Sequence, residues 1–352
     1  MIDFKNTIIE QLAVHYVGNP LQEQPLKLSN EPLTFNDDMI YELLINYFFK
    51  SFKSEEVYQF HNEDDISLNE VFAACYSIFS NPEEKFFEQS RILADILYRT
   101  TDHPQVKSGE LFVSQFSGTQ LDGEDFEAIG IFKAENKDTI LKVYPEENGF
   151  GIDHEEGINI NKLDKGCIIF NTEAETGYKV AIVDNIKANG EAIYWKKDFL
   201  GLLHKENNYT HTQSYLQMCK GFFEEVYNED NGVDKSEQIL KINQSKNYFK
   251  DANTFKEDVF EQEVMKEPEI IEAFKDYKES YQEPEEFKLP ETDQFHISKQ
   301  AVKSQQKYFK SILKLDKNFH IYIHGGRDLI ERGFDDHKKM KYYKIYFSEL
   351  LP

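Results

Sequence analysis

Between residues 103 and 204 apolar positions recur every second residue, in short runs broken by turn-forming residues at intervals of about 8–12. Side chains on a strand alternate between faces, so this pattern asks for extended chain, and the close spacing of turns asks for antiparallel hairpins. The strands expected are 110–116, 128–133, 139–144, 166–171, 179–184 and 192–195. Asp122-Gly123, Asn148-Gly149 and Asn189-Gly190 supply the residues that tight turns tolerate. The middle of the chain thus reads as a β-rich antiparallel core, either open or partly closed into a barrel.

On both sides of this region the period lengthens to that of a helix. Asn36-Asp37-Asp38 offers a cap, and Met39, Ile40, Leu43, Leu44, Tyr47, Phe48 and Phe52 follow at helical spacing. Ser67-Leu68-Asn69-Glu70 has the form of a capping box before a second amphipathic helix. Asn81-Pro82 opens a third, with Phe86, Leu93 and Leu97 on its buried side. Residues 7–17 fit a helix or a strand equally well. After His204, Tyr215, Cys219, Phe222, Phe223 and Val226 form another apolar stripe, broken at 228–234, and two or three shorter helices fill 235–277. Residues 279–290, with Pro284, Pro290 and clustered Glu, read as an acidic linker.

The end returns to strands. Residues 309–315 and 319–324 read as a hairpin, 327–334 as a short helix and 341–347 as a last strand, together making one small sheet. The expected fold is therefore α+β, in two domains: 1–203, helices plus the β-rich core, and 204–352, a helical region ending in the small antiparallel sheet. A chain of 352 residues with 40% hydrophobic and 14% aromatic content is large and apolar enough for two cores.

No apolar run approaches the roughly 18 residues a spanning helix needs, and Met1-Ile2-Asp3-Phe4-Lys5 lacks the look of a signal peptide. Cys75, Cys167 and Cys219 are odd in number and far apart, which fits a reducing cytoplasm and no disulfide framework. Cys167 follows Asp164-Lys165-Gly166, a turn feeding an apolar run, and is expected to pack as a small hydrophobe.

The formal charge of −24 repels phosphate over most of the surface. Its distribution is uneven: residues 296–352 hold ten Lys and two Arg against six acids, a net +6, which leaves −30 for residues 1–295. Any contact with nucleic acid falls to that last segment. Lys310, Lys314, Arg327, Lys338, Lys339 and Lys344 are the candidate phosphate ligands, and Tyr322, Tyr342 and Tyr346 the candidates for stacking or sugar contacts. The same mixture of Lys, His and Tyr also suits a solvated outer face. Gly325-Gly326-Arg327 could cradle an anion, although a strand-to-helix turn needs such glycines for steric reasons alone. His320 and His324 are too far apart along a strand, about 13 Å, to share a metal ion, and no metal or cofactor is expected. No Gly-x-Ser-x-Gly elbow, phosphate loop or dinucleotide fingerprint is present, so catalysis is not expected.

Four stretches in order along the chain resemble the bacterial nucleoid-associated protein family: 103–113 (HPQVKSGELFV), 128–133 (AIGIFK), 157–170 (GININKLDKGCIIF) and 319–325 (FHIYIHG). The resemblance implies a protein of the bacterial cytoplasm and nucleoid that associates with DNA, with no cofactor and no reaction. It assigns no binding residues. Two functions follow as expectations: weak, sequence-independent DNA association through the basic end, or an acidic module that binds basic proteins near the nucleoid and reaches DNA through them.

Overall fold

The computed structural model describes residues 2–185, 194–281, 288–305, 312–315, 319–322 and 329–349. It is a mixed α+β fold with antiparallel sheets, and the chain divides into two units, Met1–Lys205 and Glu206–Pro352. Among the described residues no helix is long and apolar enough to cross a membrane.

In the first unit, strands β1 (Ile2–Asp3) and β2 (Ile8–Val17) both pair with β4 (Gly109–Leu121), so the ambiguous segment near the start is a strand. A two-residue turn with Asp122 and Gly123 both at positive φ joins β4 to β5 (Glu124–Ala134), as a tight hairpin requires. The sheet continues through β8 (Lys165–Phe170), β9 (Lys179–Asp184), β3 (Tyr58–Phe60) and β10 (Leu202–His204). It ends there without returning to β1, so the sheet is open and not a partly closed barrel. Both faces are covered instead. Phe112, Phe116, Phe132 and Ile168 meet Tyr47, Phe48 and Phe49 of helix α1 (Asp38–Phe49). Leu111, Val113, Ile129, Ile131 and Ile169 meet α2 (Glu70–Ser80) and α3 (Pro82–Thr100) on the opposite face. Phe48 stacks on Phe132 at 4.2 Å and 9°. A side chain on Gly130 would collide with the rings of Phe132 and Phe116, so glycine there makes room for the aromatic layer.

Several expectations need correction. The expected strand at 139–144 lies in β6 (Lys137–Glu146), which leaves the main sheet and pairs only with β7 (Gly149–Ile158). That partner was missed because Gly149, Gly151 and Gly157 resemble turn residues. The strand expected at 192–195 is replaced from Tyr194 by a π-helical segment, Tyr194–Phe199, which buries Tyr194, Trp195 and Phe199. Residues 192 and 193, and the turn expected at Asn189-Gly190, lie outside the described residues. The second helix is capped by Asn69, whose side chain accepts from the Phe72 N–H, and not by Ser67. Asp37 caps α1 as expected, and Pro82 opens α3. Cys75, Cys167 and Cys219 are free and buried.

A sealed ionic cluster crosses the β5, β8 and β9 ladder, where register sets Lys133 beside Lys165 and Lys165 beside Asp184. Lys133 Nζ donates to the Lys107 carbonyl at 2.7 Å and pairs with Glu135 at 3.0 Å. Tyr194 donates to the same Glu135 carboxylate, and Lys165 pairs with Asp184 at 2.8 Å. Asp164 accepts from the N–H groups of Glu135 and Asn136, both at 2.8 Å. Burial pulls the Lys133 pKa down against the opposing pull of Glu135.

The second unit is packed around helix α4 (Asn208–Glu225), capped by Asn207 with Thr210 in a capping box. Its Tyr215, Phe222 and Phe223 join aromatic residues from α5 (Lys235–Asp251), α6 (Glu257–Phe260), α7 (Pro268–Ser280) and the β11–β12 pair (Thr254–Lys256, Gln294–His296) in one core. Lys241 on α5 donates to the carbonyls of Val264 and Met265 and pairs with Glu267, satisfying the end of a π-helical turn, Glu261–Met265. Helix α8 (Lys299–Gln305) follows. The linker expected at 279–290 falls partly on α7 and partly, at 282–287, outside the described residues.

Two stability predictions follow from these buried groups. Lys133→Met strands the Glu135 carboxylate and is expected to lower urea-unfolding stability by about 3–5 kcal/mol, much of it recovered by adding Glu135→Leu. His15 accepts from the Ser29 N–H at Nδ1 and so carries its proton on Nε2, 3.1 Å from Ser90 Oγ. Burial, and then the Arg91 cation, lower its pKa from 6.5 to about 4. The unfolded chain therefore binds the extra proton first. This contribution is present above pH 6.5 and is lost as pH falls toward 4. His15→Gln should shrink the difference in unfolding free energy between pH 7 and pH 5 by about 2 kcal/mol.

Candidate nucleic-acid interface

Two hairpins close the second unit, β13–β14 (Ile312–Leu315, Phe319–Tyr322) and β15–β16 (Ile330–Asp335, Met340–Ile345). They are separate two-stranded sheets, so the single small sheet expected from sequence is corrected. The expected helix at 327–334 is also corrected, since from Ile330 the chain is a strand. Gly333 explains the choice: it weakens a helix, while in the hairpin its bare backbone accepts the ring of Tyr342, directly opposite.

The candidate residues divide as follows. Lys310, Arg327 and the Gly325-Gly326 turn lie outside the described residues, as does His324. Lys314 is paired in register with His320. Tyr322 is 65% exposed on β14. Lys338 and Lys339 occupy the exposed turn of the second hairpin. There the Asp335 carboxylate accepts from the N–H groups of His337 and Lys338 at 2.9 and 3.0 Å, fixing the turn through an aspartate side chain. Tyr342, Lys344 and Tyr346 are exposed on or beyond β16.

Register sorts the second hairpin into two faces. Ile330 and Tyr343 pack with Leu315 and Ile321 against Ile239 of α5, and Arg332 on the same face pairs with Asp234. The other face carries Glu331, Met340, Tyr342 and Lys344. Tyr342 and Lys344 thus share the outward side, as strand alternation implies. Register also sets Glu331 opposite Lys344, 3.5 Å away, and Tyr346 donates to Glu331 at 2.8 Å. The Tyr346 hydroxyl and then the Glu331 carboxylate hold the Lys344 ammonium above its usual pKa. Within 329–349, Arg332, Lys338, Lys339, Lys341 and Lys344 face Glu331, Asp335, Asp336 and Glu349, one positive charge net. Lys341, Phe334, Met340 and Phe347, outside the candidate set, are exposed on or beyond the same hairpin. Reading 330–335 as a strand would have exposed the Glu331–Lys344 pairing and shown Phe334 beside Lys341.

Other clusters in the chain offer less. The Lys133–Lys165 network is closed to solvent, with both lysines 0% exposed. A cleft of about 750 Å³ in the second unit is lined by acids and lysines, but Glu261 pairs with Lys275 and Glu257 with Lys278. Among the described residues no group of three His, Cys, Asp or Glu side chains is placed to hold a metal ion.

The family model described as nucleoid-associated protein YejK matches residues 8–339, which includes both units and most of the terminal hairpins. No curated protein matches the chain at a significant level. A match over nearly the whole length, across the two cores and their joining segments, places the chain in the nucleoid-associated protein family described by that model.

Proposed function

We propose that this member of the nucleoid-associated family acts without catalysis in the bacterial cytoplasm, at the nucleoid, and touches DNA directly through its basic terminal segment. The observation that carries this reading is the exposed turn of the second hairpin, where Lys338 and Lys339 lead into the outward side of β16 that carries the exposed Tyr342 and Lys344. Lysines of this kind pair with phosphates whatever the sequence, and tyrosines beside them stack on bases or lie against sugars. Lys310, Lys314, Tyr322, Arg327 and Tyr346 extend the proposed surface. A charge of −30 on residues 1–295 keeps the affinity low and turns the body of the protein away from the helix.

The near-neutral balance of residues 329–349 favours a second reading. Here the acidic surface binds basic proteins at the nucleoid, and the hairpins complete the fold of the second unit. The two readings separate on purified protein. Direct contact with about four phosphates gives a slope of log affinity against log salt near −3.6. Lys338→Glu with Lys339→Glu and Lys344→Gln removes binding at low salt while circular dichroism stays unchanged. Gln at 344 avoids setting two carboxylates opposite each other at Glu331. Equal binding by variant and parent moves the site elsewhere, and no binding by the parent selects the partner-mediated reading. In the same samples, plasmid DNA and nucleoside triphosphates remain intact with and without magnesium. Metal-dependent turnover lost on a single His or Asp substitution would overturn the non-catalytic assignment.

A further inference from the structure

The outward face of the second terminal hairpin carries rings as well as charge. Residues 338–347 hold four lysines and four aromatic residues with no acid among them. Strand alternation sends Tyr342, Lys344 and Tyr346 to one side, at steps of about 7 Å. Tyr346 keeps this alternation one residue past β16, its N–H bonded to the Leu329 carbonyl at 2.8 Å. Both rings lie across the ribbon. Tyr342 reaches into the space that a side chain at Gly333 would fill, and Tyr346 donates its hydroxyl to Glu331 at 2.8 Å. Lys344 stands between them in the chain, its ammonium 4.6 Å from the centre of the Tyr346 ring. Tyr342 is 45% exposed and Tyr346 39%, so each ring is held across the hairpin and still open to solvent. The acids of this face are engaged, Glu331 by Tyr346 and Lys344, Asp335 by the N–H groups of the turn.

These features select among forms of DNA. A duplex presents phosphates, sugars and base edges, while the flat faces of its bases are already stacked on one another. Residues 329–349 carry one net positive charge, which keeps the phosphate contribution small. Among the described residues the outward face has no Arg, Asn or Gln to read base edges. A phenol ring, by contrast, stacks on any base, but only where that base is unpaired. Stacking also needs no net charge, so the −30 on residues 1–295 does not oppose it as it opposes phosphate.

We infer, on the footing of the proposed contact between this segment and DNA, that the second terminal hairpin takes single-stranded DNA in preference to duplex. Tyr342 and Tyr346 are the platforms for two unpaired bases. Lys344 between them, with Lys338 and Lys339 at the turn, meets the phosphates of the same strand. The rings then supply the preference for unpaired DNA, and the lysines supply the attraction common to both forms.

Fluorescence anisotropy with the full chain at low salt tests it, comparing labelled oligo-dT of about 20 nucleotides, longer than a single site, with its duplex with oligo-dA. The single strand is expected to bind about tenfold tighter, the worth of one net stack. With about four phosphates in contact, the slope of log affinity against log salt is near −2.8 on the single strand and near −3.6 on the duplex. Tyr342→Leu with Tyr346→Leu should cost about tenfold on the single strand and leave duplex affinity unchanged. Tyr342→Phe with Tyr346→Phe keeps the rings and should keep the preference, with an unchanged circular dichroism spectrum. A parent that binds duplex as tightly as single strand overturns the inference and leaves the direct contact with DNA standing. A leucine variant that still prefers the single strand, or that loses both forms equally, overturns it too. Binding of neither form by the parent defeats the direct contact itself, and the strand preference falls with it.

Discussion

Because β4, β5 and β8 are buried on both sides, neighbouring residues in them must each find an apolar environment, one under α1 and the other under α2 and α3. That constraint governs the rest of the first unit. It explains why runs such as Ile168-Ile169-Phe170 lack a polar alternate, and why a barrel does not form: a face already covered by a helix has no need to curl inward. It also makes the polar residues in these strands informative. Lys133 and Lys165 can remain in the sheet only with carboxylates, carbonyls and the Tyr194 hydroxyl arranged around them, so the ladder register of β5, β8 and β9 and the position of the π-helical turn are tied together.

The fold was legible where a local signal and the tertiary environment agree. Residues 179–184 are a strand with the bounds the alternation gives, and Asp37 and Pro82 mark helix starts because cap chemistry is local. It was illegible where tertiary contacts reassign a local preference. Gly149, Gly151 and Gly157 look like turns, yet two of them sit under Ile140 and Tyr144 in a straight ribbon. Tyr194 and Trp195 have strand chemistry but are drawn into a helical turn that buries them. Gly333 misled in the opposite direction, since its partner Tyr342 is nine residues away and only register brings them together.

The candidate interface was legible in residue type and not in balance. Counting charges along 296–352 gives a strongly basic segment, whereas pairing the strands shows that Lys344 faces Glu331 and that the Lys338–Lys339 turn is built on Asp335. What distinguishes the turn is presentation. Its ammonium groups stand at the exposed end of a ribbon, Lys339 4.0 Å from Asp336 of the same turn, with the exposed Met340 and Tyr342 following them in the chain.

The way these hairpins are attached has a consequence for their motion. They rest on α5 through a patch centred on Ile239 and through the Arg332–Asp234 pair, whose side chains are about one-third exposed. Among the described residues such an anchor is slight beside the aromatic core of the same unit, and an element held this way opens at a small fraction of the global unfolding free energy. Added salt screens that pair as well as any phosphate contact. Ionic strength then acts on the basic end twice, weakening its grip on a polyanion and loosening the element that holds the lysines in place.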